Sequence, residues 1–254
     1  MFSRLSKLAA QWRRIGLGLV FPPRCAHCDA ELEEPADGIV LCGPCRESLS
    51  PPGWSYCRRC GGIASPAYPQ LDRCEWCRNT RLHFDTVVSL GPYHGELKSA
   101  VLRMKRPDGE VLAETMGILY YHDRLNDVLA LNPELVVPVP MHWARRLHRA
   151  TNSAELLAAA LSGRLRLRYN PRALIRCRNT LPQRDLPPMK RFQNVRGAFR
   201  LHHAARVKAA RVLLVDDILT TGATCSEAAK VLKDAGAAMV AVAVLARAEG
   251  DQFA

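Results

Sequence analysis

The sequence lacks the features of a membrane-spanning or exported chain. Its 254 residues contain no run that approaches the ~20 apolar residues a helix needs to cross a bilayer. Residues 1–21 mix basic and apolar side chains, but the apolar stretch 15–21 is short, and no small-residue cleavage site follows before Pro22. We therefore expect a cytoplasmic protein whose residues 1–21 form an amphipathic helix packed on the rest of the chain. A contact with a membrane surface is the alternative.

Acidic residues are scarce in one part of the chain. The formal net charge is +12, and residues 142–200 carry all of it, with fourteen Lys and Arg against two acids, Glu155 and Asp185. Such a basic segment indicates an anionic partner, either the phosphates of a small molecule or a nucleic-acid backbone. A solvated arginine-rich surface would give the same count, so charge alone does not decide between these partners.

Cysteine, in contrast, is abundant and regularly spaced. Eight of the ten cysteines form four Cys-x-x-Cys pairs, and the pattern C-x2-C-x13-C-x2-C occurs twice, 32 residues apart. Two residues between cysteines allow a tight turn to aim both sulfurs at one metal, and two such turns complete a closed tetrahedral shell. We predict two structural Zn²⁺ ions held by Cys25, Cys28, Cys42, Cys45, Cys57, Cys60, Cys74 and Cys77.

Other roles for these cysteines are less consistent with the sequence. Disulfides between such close pairs would stabilise the fold little, and no secretion signal indicates an oxidising compartment. A redox pair would need one such motif at a strand–helix turn rather than four in loop-rich sequence. The repeat favours sequential over interleaved pairing, although spacing alone leaves both open. Cys177 and Cys225 fall outside the pattern and are expected to be ordinary buried or semi-buried thiols.

After residue 80 the pattern changes to alternating strands and helices. Strands are predicted at 84–90 and 135–139, and helices at 96–104, 110–119 and 151–161. This alternation predicts an α/β fold, a Rossmann-like parallel sheet flanked by helices. The expected domains are the 1–21 helix, a small Cys-rich double zinc-ribbon module at 22–80, and an α/β domain at 81–250.

The stretch 211–224 carries the most specific signal. Four apolar residues, 212–215, predict a strand buried on both faces, and two acids follow at its carboxyl end, where open α/β sheets bind ligands. A Thr- and Gly-containing turn then leads into a helix predicted from Ser226, and the N–H groups at such a helix start can cradle a phosphate. A capped helix with solvated acids is the alternative, but adjacent like charges and a Thr/Gly loop add nothing to a core. We predict a sugar-phosphate site made of Asp216, Asp217, Thr220, Thr221, Gly222, Ala223 and Thr224.

This stretch resembles the 5-phosphoribosyl 1-pyrophosphate (PRPP) motif of type I phosphoribosyltransferases. The chain as a whole is similar to the ComF family, which includes GntX-type proteins. The shared features are the Cys-x-x-Cys module, residues 102–105 ending in Lys105, Pro138-Val139-Pro140 followed by a basic turn, residues 152–157, and the pattern from Arg178 to Phe199. Members usually read Arg-Gly-Phe/Tyr-Asn-Gln where this chain has Arg149-Ala150-Thr151-Asn152-Ser153, so what that loop recognises is expected to differ here.

The resemblance implies roles for these residues. Asp216 and Asp217 would hold the ribose hydroxyls as the catalytic pair, and residues 220–224 would hold the 5-phosphate. Arg145 and Arg146 occupy the position of the pyrophosphate loop, Lys105 ends a family helix, and residues 176–196 resemble a mobile flap.

Two functions follow from the resemblance and remain open. In the first, PRPP with Mg²⁺ loses pyrophosphate to an unidentified acceptor. In the second, the protein is a competence factor that binds single-stranded DNA for the DNA-uptake machinery, with little or no transferase activity. The bases of the DNA would stack on Trp12, Trp54, Trp76 or Trp143. A scaffold without a working site is a third reading, which the intact acids and Thr-Gly loop argue against.

Overall fold

The structure, a computed structural model, describes residues 22–32, 37–62, 74–146, 151–203 and 205–248. The helix expected at residues 1–21 lies outside this part of the chain. Within it, no helix is both long and apolar enough to cross a membrane.

A five-stranded parallel sheet forms the centre of the fold, as the sequence predicts. Its strand order is β1-β7-β6-β2-β3. The strands are β1 (Thr86–Pro92), β2 (Leu135–Pro138), β3 (Arg168–Tyr169), β6 (Arg211–Leu219) and β7 (Met239–Arg247), and a separate antiparallel hairpin joins β4 (Leu174–Arg176) to β5 (Phe199–Leu201).

Helices cover both faces of the sheet, because the buried strands are apolar on both sides. The helices are α1 (Gly43–Leu49), α2 (Glu75–Asn79), α3 (Gly95–Arg103), α4 (Glu110–Ala130), α5 (Trp143–Arg146), α6 (Ser153–Leu165), α7 (Pro188–Val195) and α8 (Ala223–Asp234). Alternate residues of β6 face opposite cores. Leu213 and Val215 pack with α3, α4 and α6, whereas Val212 and Leu214 pack with α8 and the β4–β5 hairpin.

Several element boundaries differ from those predicted. The β1 strand begins at Thr86 rather than 84, and α4 continues to Ala130 because Tyr120 and Val128 are still buried in the core. The β6 strand runs through both acids to Leu219, since β7 supplies a paired neighbour over that whole length. The α8 helix begins three residues early, directly after a left-handed Gly222 with φ of +75°.

The two halves of the cysteine-rich region pack on opposite faces of the sheet. Cys25 and Cys45 belong to the core formed with α3 and α4, whereas Cys57 and Cys77 belong to the core formed with α8. On the first side, Arg103 of α3 forms an ion pair with Asp29 at 2.9 Å. The cysteine-rich residues thus share their apolar cores with the sheet. The domain boundary expected near residue 80 stays a prediction.

The order of the strands creates a crevice at the carboxyl ends of β2 and β6. From β2 the chain passes through α6 to β3 on one side, and from β6 it passes through α8 to β7 on the other. Neighbouring strands whose connections diverge in this way leave an opening where ligands bind in open α/β sheets. Pairing between β2 and β6 ends at Pro138 and Val215, so β6 is uncovered on this side from the next residue onward.

Candidate functional site

The two acids predicted from the sequence lie at this crevice. Asp216 and Asp217 are the first residues of β6 beyond its pairing with β2, and both are partly buried. The backbone N–H of Asp217 donates to Oδ1 of Asp216 at 2.9 Å. This bond fixes the direction of the Asp216 carboxyl group, whose second oxygen remains for other partners.

Asp217 connects three separate elements. Its Oδ2 lies 3.0 Å from Nζ of Lys105, which follows α3, and it also accepts a hydrogen bond of 3.2 Å from Oγ of Ser153, the first residue of α6. The ion pair is largely shielded, with side-chain exposures of 24% for Lys105 and 17% for Asp217. The structure therefore brings the predicted Lys105 to the acids. Ser153, in the segment that departs from the family pattern, is a site residue that the sequence analysis did not assign.

Asp216 lies in a less polar setting. Burial, together with the neighbouring charge of Asp217, raises the pKa of Asp216 to about 7. Sγ of Cys225 donates to Oδ2 of Asp216 at 3.6 Å, and burial raises the pKa of Cys225 well above its ordinary value, which keeps the thiol protonated as a donor. Cys225 is buried, as expected, whereas Cys177 is exposed and that part of the expectation is wrong. Cys225 also contacts Asp216, so it is not merely an ordinary thiol. No sequence motif identifies Cys225 as a site residue, because it reaches Asp216 only when the first turn of α8 packs against β6.

The predicted phosphate loop, residues 220–224, comprises the turn after β6 and the first two residues of α8. Gly222 in its left-handed conformation starts the helix, and Oγ1 of Thr221 accepts from the backbone N–H of Ala223 at 3.4 Å. Thr221 is buried, whereas Thr220 and Thr224 are partly exposed. The first N–H groups of an α-helix have no partner within it, so this loop presents donors and hydroxyl groups to an anion.

The predicted flap segment lies against this loop. Nε2 of Gln183 lies 3.3 Å from Oγ1 of Thr224 and also 3.3 Å from the carbonyl oxygen of Arg191. Asn194 at the end of α7 donates to Oε1 of Gln183 at 3.4 Å. Gln183 is thus held from within the segment while it contacts the loop, a role that the sequence analysis did not assign to it.

The predicted pyrophosphate-binding arginines lie in α5. Arg146 forms an ion pair with Glu155 of α6, so its guanidinium is engaged by an acid in this conformation. The side chain of Arg145 lies outside the described part of the structure, as do residues 147–150. Binding of a diphosphate here stays a prediction.

The eight paired cysteines form two four-thiol clusters with sequential pairing. The first cluster is Cys25, Cys28, Cys42 and Cys45, and the second cluster is Cys57, Cys60, Cys74 and Cys77. Four sulfurs at the usual Zn–S distance lie about 3.8 Å from one another around a tetrahedral ion. The measured sulfur separations include 3.6 Å in the first cluster and 3.4, 3.7 and 3.8 Å in the second. These residues therefore fit Zn²⁺. In the second cluster, the contact between Cys57 and Cys60 lowers the pKa of Cys57 and raises that of Cys60, so the thiolate forms first at Cys57.

Family models match both parts of the chain. Residues 16–81 match a double zinc ribbon domain, and residues 152–253 match a phosphoribosyl transferase domain. The first match covers both cysteine clusters, and the second covers Ser153, both acids and the phosphate loop.

Relatives match over nearly the full chain. Competence protein F of Haemophilus influenzae is 31% identical over 229 residues, which cover 89% of this chain and 97% of the relative. DNA utilization protein YhgH of Escherichia coli K12 is 29% identical over 222 residues, which cover 82% and 96%. Among solved structures, a glutamine PRPP amidotransferase from B. subtilis is 23% identical with a TM-score of 0.38, covering 57% of this chain and 30% of that one. This last similarity supports no inference.

Proposed function

The chain belongs to the ComF family of Competence protein F, with a double zinc ribbon and a phosphoribosyltransferase domain, and on this premise we propose that it binds PRPP at the carboxyl end of β6. The observation that supports this most strongly is the arrangement around Asp217. A cation just after α3 and a hydroxyl from α6 converge on an acid that lies beside a second acid and a phosphate loop.

The chemistry of the crevice suits a ribose 5-phosphate group. Vicinal hydroxyls of the ring can donate to Asp216 and Asp217, and the 5-phosphate can accept from the N–H groups at the start of α8. An anion at that helix end also interacts favourably with the helix dipole. Lys105 offsets part of the negative charge of the two acids, which allows them to stay close together.

A divalent cation fits the same site when PRPP is bound. Carboxylate and diphosphate oxygens are the ligands that Mg²⁺ prefers, and Asp216 and Asp217 place two carboxylates at the crevice. When bound, Mg²⁺ would neutralise charge on the diphosphate. The protein's own contributions are to orient the ribose with the two acids and to anchor the 5-phosphate in the loop. The flap would exclude water from the crevice.

The reaction that such a site supports is phosphoribosyl transfer. The bond from the anomeric carbon to the diphosphate oxygen breaks, pyrophosphate leaves with the bonding electrons, and a nucleophilic acceptor forms the new bond to the same carbon. Binding of PRPP precedes this bond exchange, so it is the property to test first.

The test is calorimetric titration of zinc-loaded protein with PRPP and Mg²⁺. We expect micromolar binding and a loss of about tenfold or more in the Asp217→Asn variant, since hydrogen bonds to a charged acceptor are involved. Asp234→Asn, at the far end of α8, is the matched control, because it removes one negative charge without touching the crevice. Equal affinities for the two variants, or no binding by the wild type, would exclude this site.

Single-stranded DNA is a second candidate ligand, favoured by the names of the relatives and by one exposed surface. Arg178, Arg196 and Arg200 are all exposed on or beside the β4–β5 hairpin. Trp143 is 67% exposed and could stack on a base, whereas Trp54 stacks on Tyr56 at 4.6 Å. Trp12 and the side chain of Trp76 lie outside the described residues. DNA binding here predicts an affinity that falls steeply with salt and is reduced in Arg200→Gln.

A further inference from the structure

A buried arginine separates the second cysteine cluster from the phosphate loop. Arg247, the last residue of β7, is only 3% exposed. Burial lowers the pKa of its guanidinium. A buried cation is costly unless hydrogen bonds and opposite charge compensate it, so this arginine needs partners on both sides.

On one side, Arg247 holds the start of the loop. Its Nη1 lies within hydrogen-bond distance of three carbonyl oxygens, and its two N–H groups are shared among them: Leu219 at 3.0 Å, Ala248 at 2.5 Å, and Thr220. Thr220 is the first residue of the phosphate loop. The arginine thus binds the last carbonyl of β6 and the first carbonyl of the loop.

On the other side, Arg247 contacts the turn of the second cluster. Gly61 follows Cys60 and has a φ of +72°. A Cβ atom on Gly61 would lie 3.2 Å from Cδ of Arg247 and 3.4 Å from Cδ2 of Leu219. The turn that aims Cys60 at its metal therefore packs directly on the arginine and on the strand residue before the loop.

We propose that Arg247 couples zinc occupancy of the second cluster to the geometry of the phosphate loop, so that zinc at this cluster increases the affinity for the 5-phosphate of PRPP. Four thiolates around one Zn²⁺ carry a net charge of −2, which fixes the guanidinium between the cluster and the loop carbonyls. Coupling of this kind is reciprocal, so phosphate binding also raises the affinity of the second cluster for zinc. The ligand part of this inference rests on the proposed function.

The first cluster provides an internal comparison. It belongs to the core on the opposite face of the sheet, where it packs with α3 and α4. Arg211 provides a comparison for the arginine. It is at the other end of β6, and its Nε donates to the carbonyl oxygens of Leu131 at 2.9 Å and Asn132 at 3.1 Å. It therefore makes the same type of contact far from the phosphate loop.

The experiment compares Arg247→Met, Arg247→Lys and Arg211→Met as full-length, zinc-loaded proteins with measured metal content. Hydrogen–deuterium exchange of the 219–224 peptide reports the loop without any ligand, and calorimetry with PRPP and Mg²⁺ reports affinity. We expect Arg247→Met to retain zinc, to exchange in the loop about tenfold faster, and to bind PRPP about tenfold more weakly. Arg247→Lys should recover part of both effects, and Arg211→Met should show neither.

Single-cluster variants complete the test. Cys77→Ser should accelerate exchange in the loop as Arg247→Met does, and Cys45→Ser should leave it unchanged. Equal loop exchange in Arg247→Met and Arg211→Met would overturn the coupling. This comparison can be made even when the Cys77→Ser variant does not fold. Failure of the wild type to bind PRPP would instead refute the proposed function, while the exchange data would still test the coupling.

Discussion

Replacement of Asp216 by Asn should stabilise the ligand-free protein while it abolishes PRPP binding. The pKa of Asp216 is raised from 3.8 to about 7 by burial and by the charge of Asp217. Below about pH 4 the carboxyl group is protonated in both the folded and the unfolded chain. Between about pH 4 and about pH 7 the Asp216 carboxyl group stays protonated in the folded chain but is ionised in the unfolded chain, so the free energy of unfolding falls as pH rises.

The shift sets an upper limit on this effect. A difference of about three pKa units corresponds to at most about 4 kcal/mol, fully expressed above about pH 7. Asn at position 216 keeps an oxygen that can accept from the N–H of Asp217 but carries no charge. The Asp216→Asn variant should therefore melt several degrees above the wild type at about pH 8, and this difference in Tm should become smaller toward about pH 5.

The assay is thermal unfolding of zinc-loaded protein across this pH range, with Asp217→Asn as the matched control. Asp217 is paired with Lys105 and accepts from Ser153, so its replacement should lower Tm by an amount equivalent to about 1 kcal/mol. If Asp216→Asn melts at or below the wild type at about pH 8, the reasoning from burial is refuted.

Three further results are expected. Lys105→Met should weaken PRPP binding about tenfold. It should also shift the rise of PRPP affinity with pH to a higher pH, because Lys105 lowers the pKa of Asp216. Titrations with PRPP at several pH values measure both effects. Gln183→Ala should speed hydrogen exchange in residues 183–195 and lower PRPP affinity a few-fold, because its contact with Thr224 is lost; an unchanged exchange rate would refute that role. Metal analysis should find two zinc ions per chain, and chelation should lower Tm by unfolding structure on both faces of the sheet.

The sequence predicts those features that depend on neighbouring residues. Cys-x-x-Cys spacing is a local property, and the repeat favours the sequential grouping of the sulfurs that the structure then shows. The strand, the acids and the loop at 211–224 are likewise contiguous, so their order alone indicates the crevice. Lys105 could be assigned only by its resemblance to the family, because 112 residues separate it from the Asp217 that it contacts.

Other site residues depend on contacts between distant parts of the chain. Ser153 and Cys225 reach the acids from the first turns of α6 and α8, and only packing of both helices on β6 sets their positions. The sequence alone would place Arg247 at the polar end of an apolar strand. In the structure it is buried beside residues 60–61, which lie more than 180 positions earlier in the chain. No short motif encodes such contacts, because they form when the cysteine-rich residues join the two cores.

The most direct test of the central claim is a crystal structure of the zinc-loaded protein with PRPP and Mg²⁺. The account predicts the 5-phosphate within hydrogen-bond distance of the backbone N–H groups of residues 221–224, with the ribose hydroxyls against Asp216 and Asp217. Ligand bound elsewhere, or a crevice that holds no ligand at saturating PRPP, would contradict it.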